Sequence, residues 1–133
     1  MFKENYKHIA KACNDLDLKY VEVTGETSSK DKVKAVDSFN TDANVRVYIS
    51  NPQASGLGIN LVSSSYSIYY NRNFSLEADI QSEARNYRAG SEIHEKITRV
   101  DILCKDSLDE VILTSLKEKS DISTKILSLR NLL

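Results

Sequence analysis

Three residues at helical spacing carry the clearest chemistry in the chain. Gln81, Arg85 and Arg88 stand at i, i+4 and i+7, so a helix over 76–89 places them in one polar stripe. Leu76, Ile80, Ala84 and Tyr87 form the apolar stripe beside it. Two arginines one turn apart can grip one phosphate chain together. A solvated charged face has the same pattern, so spacing alone leaves both readings open. A second candidate is Ser55-Gly56-Leu57-Gly58-Ile59-Asn60-Leu61, after a strand-like run. It lacks the third glycine of a dinucleotide fingerprint. It reads either as a tight turn or as a place where backbone amides approach an anion at a strand's carboxyl end. A third is Thr24-Gly25-Glu26-Thr27 with Ser28, followed by Lys30, Lys32 and Lys34. Small hydroxyls and backbone amides suit phosphate oxygens and read little of the bases. The lysines also fit a solvated helix face.

Other chemistries are missing from the sequence. No GxxxxGK[ST] run is present, so there is no phosphate-cradling P-loop. Asp109-Glu110 falls at a predicted helix start and not at a strand end. His8 and His94 have no Ser, Cys or carboxylate pattern of a triad, and His8 reads as a surface residue. Cys13 and Cys104 lack metal-ligand spacing, which excludes a zinc ribbon and a disulfide scaffold, and both read as buried small hydrophobes.

The elements that must position these residues alternate. Helices are expected over 5–16, with Tyr6, Ile9, Ala10, Cys13 and Leu16 on one face, and after Ser28, with Val33, Val36 and Phe39 on one side. Ser28 with Asp31, Ser75, and Ser107 with Glu110 are capping patterns, and Gly90 is placed to end the helix over 76–89. Leu108, Val111, Ile112 and Leu116 mark one late helix. Ile122, Ile126, Leu129 and Leu133 mark another, free to pack on its own sheet or on a partner. Strands are expected over 18–23, 45–50, 66–71 and 97–104. Alternation with nearly continuous apolar strands predicts an α/β domain with a mainly parallel sheet. The chain opens on a helix where doubly wound domains open on a strand, so a first strand is expected to be missing or supplied by another polypeptide.

The chain has 133 residues, 41% hydrophobic and 28% charged, which is ordinary globular composition and one domain's length. Eighteen Lys and Arg against nineteen Asp and Glu leave a net charge of −1, which excludes a broadly basic nucleic-acid coat. No apolar run has membrane-spanning length and the N-terminus has no secretory h-region, so the expectation is a cytoplasmic protein without membrane contact.

Taken in order, VTGETSSKDKVKAVDSFN, VRVYISNPQASGLGINLVSSSYSIYYNRNFSLEADIQSEARNYRAG and ITRVDILCKDSLDEVIL resemble the C-terminal RecA-like lobe of superfamily-two helicases and translocases. The nearest branch is the Swi/Snf type, particularly its phage and bacterial members, which implies a bacterial or phage-infected host cell. The resemblance covers about residues 2–116. Ala54, Gly56, Leu57, Gly58, Asn60 and Leu61 match motif V, and Gln81, Arg85, Arg88 and Gly90 match motif VI. Thr24, Gly25 and Thr27 match a loop that touches the nucleic-acid backbone. Tyr70, Asn71 and Asn73 fall where the family runs toward motif VI. The sequence departs from the pattern at Ser55, Ala84, Tyr87 and Ser91.

The resemblance implies a three-layer RecA-like α/β domain of the P-loop NTPase type, lacking its first strand. Residues 1–133 would form this single domain, with 107–133 as C-terminal helices. It implies catalytic roles for Arg85, Arg88 and Gln81, with Arg88 the principal finger, Arg85 positioning or assisting it, and Gln81 orienting them or coupling to the cleft. It places Gly56, Gly58 and Asn60 at the cofactor side, and Thr24, Gly25, Thr27 and Ser28 on the nucleic-acid track. ATP and Mg²⁺ would bind only with an N-terminal RecA-like lobe, in cis or in trans. DNA is favoured over RNA as the track, and a homo-oligomer could also complete the sheet. Three readings stay open: half of an ATPase, inactive alone; a non-enzymatic module that docks on nucleic acid or a helicase; and a remnant that keeps the fold without activity.

Overall fold

The computed structural model describes residues 3–51, 59–71 and 75–130, with side chains to 124. Its elements run α1 (Lys3–Asp15), β1 (Lys19–Val23), α2 (Ser29–Thr41), β2 (Val45–Ser50), β3 (Tyr66–Tyr69), α3 (Leu76–Glu83), a 3-10 turn at Ser91–Ile93, β4 (Thr98–Asp101) and α4 (Leu108–Arg130).

Three layers are built around β1 and β2, which pair in parallel. On one face, Tyr6 and Cys13 of α1 form a buried cluster with Ile49, joined by Ile9, Leu18, Tyr20 and Val47. Tyr48 projects to the other face, where Phe39 of α2 meets its ring edge-on at 5.7 Å. Period-2 alternation along β2 thus serves one helix on each side.

The turn from α1 into β1 is a Schellman motif. Leu18 N–H donates to Cys13 O at 2.8 Å, Asp17 N–H donates to Asn14 O at 3.1 Å, and Asp17 takes the left-handed conformation at φ 53°. Leu18 then packs on the cluster that holds Cys13. α1 therefore stops at Asp15, and Leu16, expected on the buried face, is 69% exposed. On α2 the buried side turns through Phe39, and Val33 is exposed. Ser28 caps α2 as expected, accepting from Asp31 N–H at 3.2 Å.

Among the described residues the parallel strands fall into two ladders. β1–β2 and β3–β4 are two parallel pairs, and β2 is not a ladder neighbour of β3. Side chains link the halves: Arg85 lies within electrostatic reach of both Tyr48 on β2 and Tyr69 on β3. Within β3–β4, Ser67, Tyr69, Arg99 and Asp101 share the face toward α3, while Tyr66, Ile68 and Val100 are exposed on the other. No strand precedes α1 among the described residues.

The C-terminal region also differs from expectation. Residues 108–130 form one helix and not two, because no breaker separates the two apolar runs. Ile112 and Leu116 are buried, whereas Leu108, Val111 and Ile122 are exposed. The side chains of Ile126 and Leu129, and all of Leu133, lie outside the described residues. No helix among the described residues is long and apolar enough to cross a membrane.

Candidate active site and nucleic-acid interface

The helix expected over 76–89 ends at Glu83, which corrects the predicted polar stripe. Ser75 caps its start, accepting from Ala78 N–H at 3.2 Å. Three contacts redirect the chain after Glu83. Ser82 Oγ bonds back to Asp79 O at 2.8 Å and sits 2.9 Å from the Tyr69 hydroxyl. Arg85 O accepts from Leu61 N–H at 2.8 Å, so it is claimed by another segment. Asn86, only 3% exposed, donates from Nδ2 to Ser67 Oγ on β3 at 2.7 Å. Gly90 does not cap α3. It takes φ 103° at the start of the Ser91–Ile93 turn and donates to Glu92 Oε2 at 2.6 Å.

The two arginines therefore have different environments. Arg85 is 9% exposed. Burial pulls its pKa below the usual arginine value, and the nearby Tyr48 and Tyr69 oppose that pull. Arg88 is exposed, and its side chain has no ion pair or hydrogen bond among the described residues. Its carbonyl accepts from Ser91 N–H at 2.9 Å. Gln81 faces neither arginine in its bonding: Nε2 donates to Glu77 Oε1 at 2.9 Å, one turn back on the exposed side of α3. Tyr87, one of the departures from motif VI, is exposed.

α3 is fixed to the sheet by a cluster that the sequence reading missed. Arg99 on β4 bonds Asp79 at 3.1 and 3.2 Å and approaches Glu83 at 3.5 Å and Asp101 at 3.3 Å. Its guanidinium also lies over the Tyr69 ring, 4.9 Å from the centroid. The available signal was a single arginine inside a strand-like run, alternating with apolar residues.

The loop after β1 uses its hydroxyls on itself. Thr24 N–H donates to Thr27 Oγ1 at 2.9 Å, Glu26 N–H donates to Thr24 Oγ1 at 3.2 Å, and Thr27 N–H donates to Thr24 O at 3.3 Å. Ser28 Oγ is engaged with Asp31, donating to Oδ2 at 2.7 Å. What this loop offers a ligand is therefore backbone: Gly25 has open space where a Cβ would stand. Lys30 lies exposed at the start of α2.

Of the motif V residues, Ala54, Ser55, Gly56, Leu57 and Gly58 lie outside the described residues, as does Asn73. Asn60 and Leu61 are described. Asn60 O accepts from Asn40 Nδ2 at 2.8 Å, and Leu61 is the donor to Arg85 O. The structure thus brings the exit of motif V directly onto the motif VI turn. Thr24, Gly25, Thr27 and Ser28 form a separate group at the other end of α2.

A parallel α/β lobe with no P-loop and an arginine turn beside the strand ends defines a class, the second RecA-like lobe of a two-lobe ATPase. The chain belongs to the helicase conserved C-terminal domain family, whose model matches residues 1–90. It is 30% identical over 112 residues to the yeast (Saccharomyces cerevisiae) nuclear protein STH1/NPS1, covering 84% of this chain and 8% of that protein. It is 32% identical over 104 residues to the yeast ATP-dependent helicase FUN30, covering 78% of this chain and 9% of that one. It is 29% identical over 109 residues to the mouse (Mus musculus) chromatin-remodeling ATPase INO80, covering 82% of this chain and 7% of that one. The crystal structure of the C-terminal part of the Fun30 ATPase domain superposes with a TM-score of 0.78 at 26% identity, covering 86% of this chain and 37% of that one. The RecA-like fold and the Swi/Snf kinship are thereby established. The narrower expectation of a phage or bacterial branch finds no support in these relatives, which are eukaryotic. The chain spans less than a tenth of these relatives' length.

Proposed function

We propose that residues 1–133 act as the finger-bearing lobe of a DNA-dependent ATPase motor, and that they hydrolyse no ATP alone. The observation that carries this reading is the contrast at the motif VI turn. Arg85 is built into the lobe, and Arg88 is left exposed and uncommitted. A buried anchor next to an exposed guanidinium suits an arginine that must reach across a cleft. Arg88 stabilises charge developing on the phosphates of ATP held with Mg²⁺ by the opposite lobe. Such an arginine is worth about 10³–10⁵ in rate in other phosphoryl-transfer enzymes. Arg85 holds the turn in place. Gln81, bonded to Glu77 through Nε2, completes the motif VI set, and its proposed part is coupling to the cleft. Gly56, Gly58 and Asn60 are assigned to the cofactor side by the motif V resemblance alone, and Arg88 and the backbone at Gly25 are groups that fit anionic ligands. The backbone amide at Gly25, with the exposed Lys30 in the first turn of α2, contacts the phosphate backbone of the track. The relatives' names, an ATP-dependent helicase and a chromatin-remodeling ATPase, favour double-stranded DNA as that track. The relatives, one of them named nuclear, give no support to a bacterial or phage-infected host cell.

The test is DNA-stimulated ATPase of this chain alone and mixed with an N-terminal RecA-like lobe of the same family, with Arg88→Ala as control. Activity confined to the mixture and abolished by Arg88→Ala is the expected result. Turnover by the pure chain would overturn it. Demonstrated binding of the two lobes without turnover would transfer the chain to the non-enzymatic docking reading.

A further inference from the structure

Four consecutive residues, Asn60 to Ser63, make polar bonds to three separate parts of the chain. Asn60 O accepts from Asn40 Nδ2 at 2.8 Å. Leu61 N–H donates to Arg85 O at 2.8 Å. Val62 O meets His94 Nε2 at 2.8 Å, and the Val62 side chain lies 3.8 Å from where a Cβ on Gly90 would stand. Ser63 N–H donates to Asn40 Oδ1 at 3.4 Å, and Ser63 Oγ donates to Asn40 O at 3.2 Å. Asn40 therefore brackets the segment with both ends of its amide and with its own carbonyl. An aspartate keeps the acceptor for Ser63 N–H but sets an anionic oxygen against Asn60 O; an alanine loses both side-chain bonds.

Asn40 sits in the last turn of α2, whose first residue follows the Ser28 cap. The helix is a rod of about 18 Å between the two. One end carries the Thr24–Ser28 loop. The other holds the segment that donates to Arg85 O, three residues before Arg88. A rigid element with a polar clasp at its far end can pass a displacement without new contacts along the way.

We propose that Asn40 is a positioning residue that couples occupancy of the Thr24–Ser28 loop to the placement of the Arg85–Arg88 turn, acting through Asn60 to Ser63. This rests on the proposed motor function, since the coupling is read as DNA stimulation of ATP hydrolysis.

Asn40→Ala and Asn40→Asp test it in two measurements. In the 133-residue chain, amide hydrogen exchange should quicken about tenfold at Leu61 and Ser63 in Asn40→Ala, with the Val23 and Ile49 amides unchanged. In the two-lobe mixture, stimulation by duplex DNA should fall about tenfold, with the DNA-free rate and the KM for ATP unchanged. Asn40→Asp, which turns the Asn60 bond into a repulsion, should shift both in the same direction as Asn40→Ala. Unchanged exchange at Leu61 overturns the positioning role. Faster exchange with full DNA stimulation overturns the coupling, and equal loss of DNA-free and stimulated rates reduces Asn40 to a structural part. Exchange that quickens at Val23 in Asn40→Ala marks general unfolding, and Asn40→Asp then decides by the same criteria. A wild-type mixture without turnover, despite binding, defeats the motor reading and the coupling with it, and is distinct from every outcome in which wild type is active.

Discussion

Arg85 is buried within electrostatic reach of Tyr48 and Tyr69, and Arg88, three residues further along the chain, is exposed. The two arginines should therefore fail in different ways. Arg85→Ala removes a large buried side chain and should cost about 2–3 kcal/mol. Arg88→Ala should leave stability within about 0.5 kcal/mol of wild type. It should still remove about 10³ or more of the ATPase rate of a two-lobe mixture. Thermal unfolding set beside turnover separates the two. Equal destabilisation by both variants would contradict the burial contrast.

Arg99 should hold α3 in place. Its guanidinium is about a quarter exposed and Asp79 less so. That puts the interaction between exposed ion pairs, worth about 1 kcal/mol or less, and fully buried ones, whose breakage costs about 3–5 kcal/mol. Arg99→Ala should cost about 2 kcal/mol, and Arg99→Lys should restore only part, because a lysine cannot span Asp79, Glu83 and Asp101. Urea denaturation of the three proteins measures it. A neutral Arg99→Ala would show that α3 is held by apolar contacts alone.

Much of this fold was readable before any coordinates, for local reasons. β2 covers 45–50 as expected, and the Ser28 and Ser75 caps lie where hydroxyls precede apolar periodicity. What could not be read was tertiary. The stripe through Gln81, Arg85 and Arg88 assumed that a helical pattern continues until a glycine stops it. Asn86 turns inward to Ser67 instead, and Arg85 O is taken by Leu61 N–H. Neither bond leaves a mark at local spacing. In the same way Thr24, Thr27 and Ser28 have hydroxyls suited to phosphate, and the loop uses those hydroxyls internally. Asn40 opens the polar run Asn40-Thr41-Asp42-Ala43-Asn44. It sits in the last turn of α2, and its bonds to Asn60 and Ser63 reach chain twenty and twenty-three positions away.

Acid should destabilise the protein through Asp42 and Asp31. Asp42 lies below the ordinary carboxylate value of 3.8, first through its hydrogen bond from Lys19 and then through Asn44. Asp31 lies below it through Ser28. A carboxyl group with a lower pKa folded than unfolded stabilises the fold above the unfolded value, and that contribution is lost as pH falls through the folded value. The part of the melting temperature due to these groups should be flat from pH 7 to about 5 and fall below about pH 4. Asp42→Asn should flatten part of that fall and leave the neutral-pH plateau without its slope. A melting curve for Asp42→Asn with the full acid slope would show that the Lys19 contact does not persist in solution.

The two thiols should separate by reactivity, which corrects the expectation that both are buried. Cys104 is exposed in the stretch between β4 and α4, whereas Cys13 is 5% exposed under α1 against Ile49. Burial also raises the Cys13 pKa, so even when reached it holds less thiolate at neutral pH. An alkylating reagent should therefore modify Cys104 at once and Cys13 only as fast as the α1 contact opens. The Cys13 rate should climb with denaturant below the unfolding midpoint, while the Cys104 rate stays nearly constant. Mass spectrometry of peptides after timed quenching follows each site by itself. Modification of Cys13 at the Cys104 rate in water would mean that α1 is detached from β2, and the three-layer arrangement around β1 and β2 would lose one of its layers.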